Sequence, residues 1–201
     1  LLVSGIQFTE WEMEYGIVAD TCDRLVLDSL RLFDPQDVAA YRRQGIFVSG
    51  LTNSRITNSE IANVPGNGIV IRGYSRRADA ITIDRNYLHD LGEYWKPDVD
   101  VDAINTDETA GAMANITIRG NVIDPIADAP LDLTGDNYLV ENNVIIRGGL
   151  SVHRQEGVKL WSGSHVFRNN YVLLNNGNGV GVAVRHRPVS AKIYNNTFYR
   201  N

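Results

Sequence analysis

Asn105, Asp132 and Lys159 follow one another at intervals of 27 residues, and Asp107, Thr134 and Trp161 repeat that interval two positions later. An amide and carboxylates accept and donate hydrogen bonds to hydroxyls, an ammonium meets an anion, and a Trp offers a flat apolar face to a ring. Together these side chains have the chemistry of a saccharide site. Further groups of the same kind lie nearby in the chain. Tyr94 and Trp95 bring two aromatics, His153 and Arg154 follow Asp132, and Arg185 lies in the run Arg185-His186-Arg187. Asp98, Asp100 and Asp102 alternate along one segment, so in an extended backbone their carboxylates share one side. Oxygen donors in that number suit Ca²⁺, and these three are the candidate metal ligands.

Equal spacing brings side chains together only if the chain returns to the same place at each interval. The rest of the sequence does so. A small residue followed by alternating apolar positions recurs about seven times, as Gly16-Ile17-Val18-Ala19, Gly45-Ile46-Phe47-Val48, Gly68-Ile69-Val70-Ile71, Ala103-Ile104-Asn105-Thr106, Pro130-Leu131-Asp132-Leu133, Gly157-Val158-Lys159-Leu160 and Gly179-Val180-Gly181-Val182. Each is followed by a second phrase, apolar-x-x-Asn-x-apolar, as in Ile83 to Leu88, Ile118 to Ile123, Val140 to Ile145, Phe167 to Val172 and Ile193 to Phe198. The apolar residues alternate two by two in short runs bounded by Gly, Asn or Asp, which is a strand signal with no sustained helical period. A repeat of this length, built of short strands, predicts a solenoid whose units bury their apolar faces only against one another. If Ile17, Ile46, Ile69, Ile104, Leu131, Val158 and Val180 point inward, the next residue of each points out. The outward column then reads Val18, Phe47, Val70, Asn105, Asp132, Lys159 and Gly181, an exposed patch at its centre.

The phrases "GIVIRG", "ITIRGNVI", "YLVENNVI" and "YNNTFYRN" resemble the right-handed parallel β-helix of the pectate-lyase-like superfamily across the whole chain. The resemblance implies an all-β, single-stranded parallel β-helix of about seven coils, one domain over residues 1–201. It also implies a carbohydrate-active protein, extracellular or at the cell surface, acting on an acidic polysaccharide. In polysaccharide lyases of this kind Ca²⁺ or a basic side chain neutralises a uronate carboxylate while a Lys or Arg removes the C5 proton. Lys159 is then the candidate base, with Asp107 and Asp132 beside it as catalytic partners. Asn105, Trp161, Tyr94, Trp95, His153, Arg154 and Arg185 would bind substrate. One physical objection stands: Asp132 beside Lys159 raises the lysine pKa, where a base needs it lowered, unless a bound Ca²⁺ takes up Asp132.

Two other readings stay open. Asp107 and Asp132 sit diagonally on adjacent strands, about 7–8 Å apart, within the range of an inverting hydrolase pair. Asn105-Thr106-Asp107 also resembles the first signature of polygalacturonase-type hydrolases, with Asp128 at a plausible distance. In that register the other functional positions fall on Ala129, Glu156 and Gly181-Val182-Ala183, which lack the required groups. The third reading is a non-catalytic binding or structural β-helix segment of a larger surface protein.

The remaining features narrow the field. A net charge of −5 argues against a nucleic-acid partner. No apolar run approaches the length of a membrane span. Cys22 is the sole thiol, so no internal disulfide forms. Val3-Ser4-Gly5-Ile6 already matches a second phrase, and Arg200-Asn201 follows another. The expectation is an excerpt of a longer chain, with further coils at both ends. The column Asn86, Asn121, Asn143, Asn170 and Asn196, continued by Ser59 and Leu30, reads as stacked corner residues rather than ligands. His89 and His165, within or beside second-phrase strands, read as packing residues.

Overall fold

The structure is a computed structural model that describes residues 1–11, 14–33, 43–74, 76–92, 100–107, 113–150, 156–184 and 188–201. The chain winds as a right-handed parallel β-solenoid, with no helix among the described residues. Three strand columns make up each turn. The first column carries the repeated small-residue phrase: β3 (Tyr15–Asp20), β6 (Gln44–Ser49), β9 (Ile69–Arg72), β12 (Ile104–Asp107), the start of β15 (Leu131–Glu141), the start of β17 (Glu156–Arg168), and β19 (Asn178–Val182). The second column runs from β1 (Leu2–Ser4) through β4 (Val26–Asp28), β7 (Arg55–Thr57), β10 (Ala78–Asp84) and β13 (Met113–Arg119). It ends on the latter halves of β15 and β17 and on β20 (Val189–Tyr194). The third is an eight-stranded sheet from β2 (Gln7–Thr9) to β21 (Thr197–Tyr199).

Every pairing is parallel, as expected for successive turns of one winding. Ile17, Ile46, Ile69, Ile104, Leu131, Val158 and Val180 pair in unbroken register along the first column. The five between Ile46 and Val158 are fully buried. The small residue that opens each phrase has a steric cause. A Cβ on Gly68 would lie 2.7 Å from the Ala103 carbonyl oxygen, closer than such atoms ever approach.

The polar column is an internal ladder. The Asn86 amide donates to Asn121 Oδ1 at 3.1 Å, Asn121 to Asn143 at 3.0 Å, Asn143 to Asn170 at 3.0 Å and Asn170 to Asn196 at 3.1 Å. The same Oδ1 atoms accept the backbone N–H of the preceding coil, and each amide also donates to a carbonyl of that coil. Ser59 and Leu30 extend the column: Asn86 Oδ1 accepts the Ser59 N–H, and Ser59 Oγ accepts that of Leu30. The left-handed backbone at this bend falls one residue before the ladder, on Asn58, Arg85, Gly120, Asn142, Asn169 and Asn195. Two residue types therefore share the corner: one tolerates positive φ, the other fills the interior bend with an amide.

Candidate functional site

The expected register holds at the centre of the first column. Asn105 pairs with Asp132 and Asp132 with Lys159 across β12, β15 and β17. The expected exposure does not. Asp132 is 7% and Lys159 4% exposed, and only Asn105 of the three is half-buried. The outward column is therefore a covered polar cluster rather than an open patch, and even Val70 on it is fully buried.

The alignment of Thr134 with Trp161 fails for a local reason. After the pair Leu133–Leu160 the next pair is Gly135–Gly163, so β17 carries an extra residue there. This is a β-bulge, in which two residues face one and the following side chains are re-aimed. Gly163 fits it, with φ +89° and no room for a Cβ against the Gly135 carbonyl. Thr134 is buried, its N–H bonded to Thr106 Oγ1 at 2.9 Å. Trp161 is half-buried with its indole nitrogen enclosed, not an open platform.

Lys159 gathers carboxylates from two coils. Its Nζ lies 2.8 Å from Asp128 Oδ2 and 3.7 Å from Asp132 Oδ2. Asp128 comes from the segment that leads into β15, and Asp102 from the one that leads into β12, so both precede the strands that carry the outward column. Asp102 is fixed on both oxygens. Oδ1 accepts the Ala129 N–H at 3.2 Å and Oδ2 accepts the Asn105 amide at 2.6 Å. Asn105 Oδ1 in turn accepts from Arg72 Nη1 at 2.7 Å. Asp100, Asp102 and Asp128 bring carboxylate oxygens within 4.8 Å of one another.

Packing one ammonium with several carboxylates out of water shifts every group. Burial alone would lower the Lys159 pKa, but Asp102, Asp128 and Asp132 outweigh it and hold it well above the ordinary lysine range. That is the reverse of what a general base needs. Burial, then repulsion from Asp132, pushes Asp102 up to about 7 against the pull of Lys159. Asp128 also rises to about 7, from burial first and Asp102 second, with its hydrogen bond to Asp100 adding to the rise.

Of the other expected site residues, Tyr94, Trp95, Asp98, His153, Arg154 and Arg185 lie outside the described residues, as does the side chain of Asp107. The expected metal set is joined by a residue from the next coil, since Asp128 stands with Asp100 and Asp102. From sequence alone Asp128 stands only as a hydrolase position, and Arg72 has no assigned role. Register exposes Arg72, which pairs across the sheet with Asp107, whereas Asp128 precedes its strand and lies outside the repeat. His165 is a packing residue, buried edge-on to Tyr138 with Nε2 3.0 Å from the Ser162 carbonyl. His89 stacks on Tyr87 and contacts Asp90 and Glu60.

No curated protein matches the chain. A solved structure, an alginate lyase from Paenibacillus sp. str. FPU-7, superposes with a TM-score of 0.71 at 18% identity, over 100% of this chain and 72% of that one. At this identity the likeness extends to the fold. The family described as right handed beta helix region matches residues 3–201, and the chain belongs to that family.

Proposed function

We propose that the protein is a carbohydrate-active β-helix that acts on an acidic polysaccharide by β-elimination, with its site on the outer side of the first strand column. The observation that carries this reading is the buried cluster of Lys159 with Asp102, Asp128 and Asp132. Burying unlike charges gains little stability over an apolar replacement, so such a cluster on a solenoid face points to chemistry. The alginate lyase with the same fold acts, by its name, on an acidic polymer, which agrees with an ammonium at the site.

The roles differ from those the sequence alone implies. Lys159, held charged, neutralises a uronate carboxylate. Proton acceptance falls to the carboxylates, of which Asp132 is the least enclosed, at 7% exposed against 1% for Asp102 and 0% for Asp128. Asp132 and Asn105 contact the sugar, with Trp161 at the margin. Asp100, Asp102 and Asp128 form an oxygen-only set that would hold a Ca²⁺, which would supply neutralising charge. Lys159 already sits on Asp128, so the two cations compete there.

An inverting hydrolase is the second reading, favoured by carboxyl groups whose pKa is raised into the range of a general acid. Incubation with alginate, polygalacturonate and other uronate polymers, with Ca²⁺ or with chelator, separates the two. Elimination gives products with ultraviolet absorbance from a new double bond, whereas hydrolysis gives reducing ends without it. Neither product from any uronate polymer would leave a non-catalytic module as the better account.

A further inference from the structure

On the same outer face, beyond Asn105, the polar column gives way to an apolar one of Val70, Phe47 and Val18. Phe47 of β6 pairs with Val70, which pairs with Asn105. The Phe47 ring lies 4.9 Å from that of Tyr15 and 6.4 Å from that of Tyr74, both tilted. Tyr74 is 50% exposed. Arg72 belongs to this neighbourhood, since it pairs with Ser49, two residues along β6 from Phe47. Arg72 is anchored through one nitrogen: Nη1 donates to the Ile71 carbonyl at 3.0 Å and to Asn105 Oδ1 at 2.7 Å. Its Nε and Nη2 make no hydrogen bond among the described residues.

We propose that Arg72, Phe47 and Tyr74 form a second sugar subsite, which binds a uronate unit of the same polysaccharide three coils away from Lys159. The inference rests on the reading of the first column's outer face as a polysaccharide site, and adds to it where the chain lies and which unit is selected. A guanidinium held at one end presents its remaining donors as a fork, which matches a carboxylate in a way an ammonium does not. Tilted, partly exposed rings beside it give a sugar ring an apolar wall. From β9 to β17 is three strand steps, about 14 Å, so one polymer lying along the solenoid axis meets both charges. Two cations that far apart select a polymer with acid groups on separated units rather than one acidic terminus.

The test measures equilibrium binding, by calorimetry, of alginate and polygalacturonate oligosaccharides of increasing length and of their carboxyl-reduced counterparts. Arg72→Ala, Arg72→Lys and Tyr74→Ala are compared with the unaltered protein, and turnover is followed separately. Long acidic oligomers should bind about tenfold more weakly to Arg72→Ala, equivalent to about 1.4 kcal/mol. Arg72→Lys should recover part of this, and Tyr74→Ala should lose severalfold. Carboxyl-reduced oligomers should bind Arg72→Ala and the unaltered protein alike. Unchanged affinity in both alanine variants overturns the subsite. So does a loss confined to Arg72→Ala, because Arg72 would then act only by bracing Asn105. Failure of the unaltered protein to bind any acidic oligomer overturns it together with the proposed function. The predicted losses in binding, in a protein that makes no unsaturated product, would support the subsite and overturn the lyase assignment alone.

Discussion

Two buried polar columns run along this solenoid, and they are built on opposite terms. The asparagine ladder is neutral and self-matched: each Oδ1 accepts from the amide and the backbone N–H of the preceding coil, and each amide finds a second acceptor. Coil stacking alone repeats the pattern, so the ladder stabilises the bend wherever it occurs. The Lys159 cluster is neither neutral nor periodic. Among the described residues Asp100, Asp102, Asp128 and Asp132 outnumber the ammonium of Lys159, and two of these carboxyl groups are raised to about 7. A fold that satisfies amides so regularly has no structural need for that surplus. The contrast separates a column kept for stability from one kept for chemistry.

The largest effect is expected where the contrast is sharpest. Lys159→Met removes the ammonium that lies against Asp128 and Asp132 and leaves buried carboxylates without that compensation. Breaking a buried pair in this way costs about 3–5 kcal/mol. Denaturant unfolding at pH 8 should show that loss, and much of it should return in the double variant Lys159→Met/Asp128→Asn. No recovery in the double variant would mean that the lysine matters for packing alone.

The ladder should respond more mildly and by position. Asn143→Ala leaves the Asn121 N–H and the Ile118 carbonyl without their partners in the interior, at about 2–3 kcal/mol. Asn196→Ala, at a partly exposed rung, should cost about 1 kcal/mol, because water replaces what is lost. Polysaccharide binding should be unaffected in both. Equal losses at the two rungs would show that burial does not set the ladder's worth.

The same contrast explains what the sequence made legible. Strand columns, inward register and the ladder follow from period alone, and Ile46 to Val158 lie where alternation puts them. The triad Asn105, Asp132 and Lys159 was legible too, because its spacing has no gap. Alternation assigns a side chain to a face, however, and says nothing of what covers that face, so Asp132 and Lys159 were expected in the open. Trp161 was missed for another reason. One extra residue before Gly163 shifts the register, and a bulge leaves no mark in a count of 27. Asp102 and Asp128 lie just before their strands, where the period no longer applies, and only the winding brings them to Lys159.

The smallest expected effect is the most specific to the charged column. Asp102 has its pKa raised from the model-peptide carboxylate range to about 7 by burial and by Asp132. A raised carboxyl pKa means the native state holds a proton that the unfolded chain releases. Its favourable contribution is therefore complete below about pH 4 and is lost as pH climbs toward about 7. Asp128 adds in the same sense. The melting temperature of the unaltered protein should thus decline between pH 5 and pH 8 by more than that of Asp102→Asn, which has no proton to lose there. Asn143→Ala, which touches only the neutral column, should lower the whole curve and leave its slope alone. If Ca²⁺ binds at Asp100, Asp102 and Asp128, adding it at pH 8 should raise the melting temperature of the unaltered protein and flatten its decline, with little effect on Asp102→Asn. Equal slopes for the unaltered protein and Asp102→Asn would place the surplus charge elsewhere and weaken the claim that this column is kept for proton exchange.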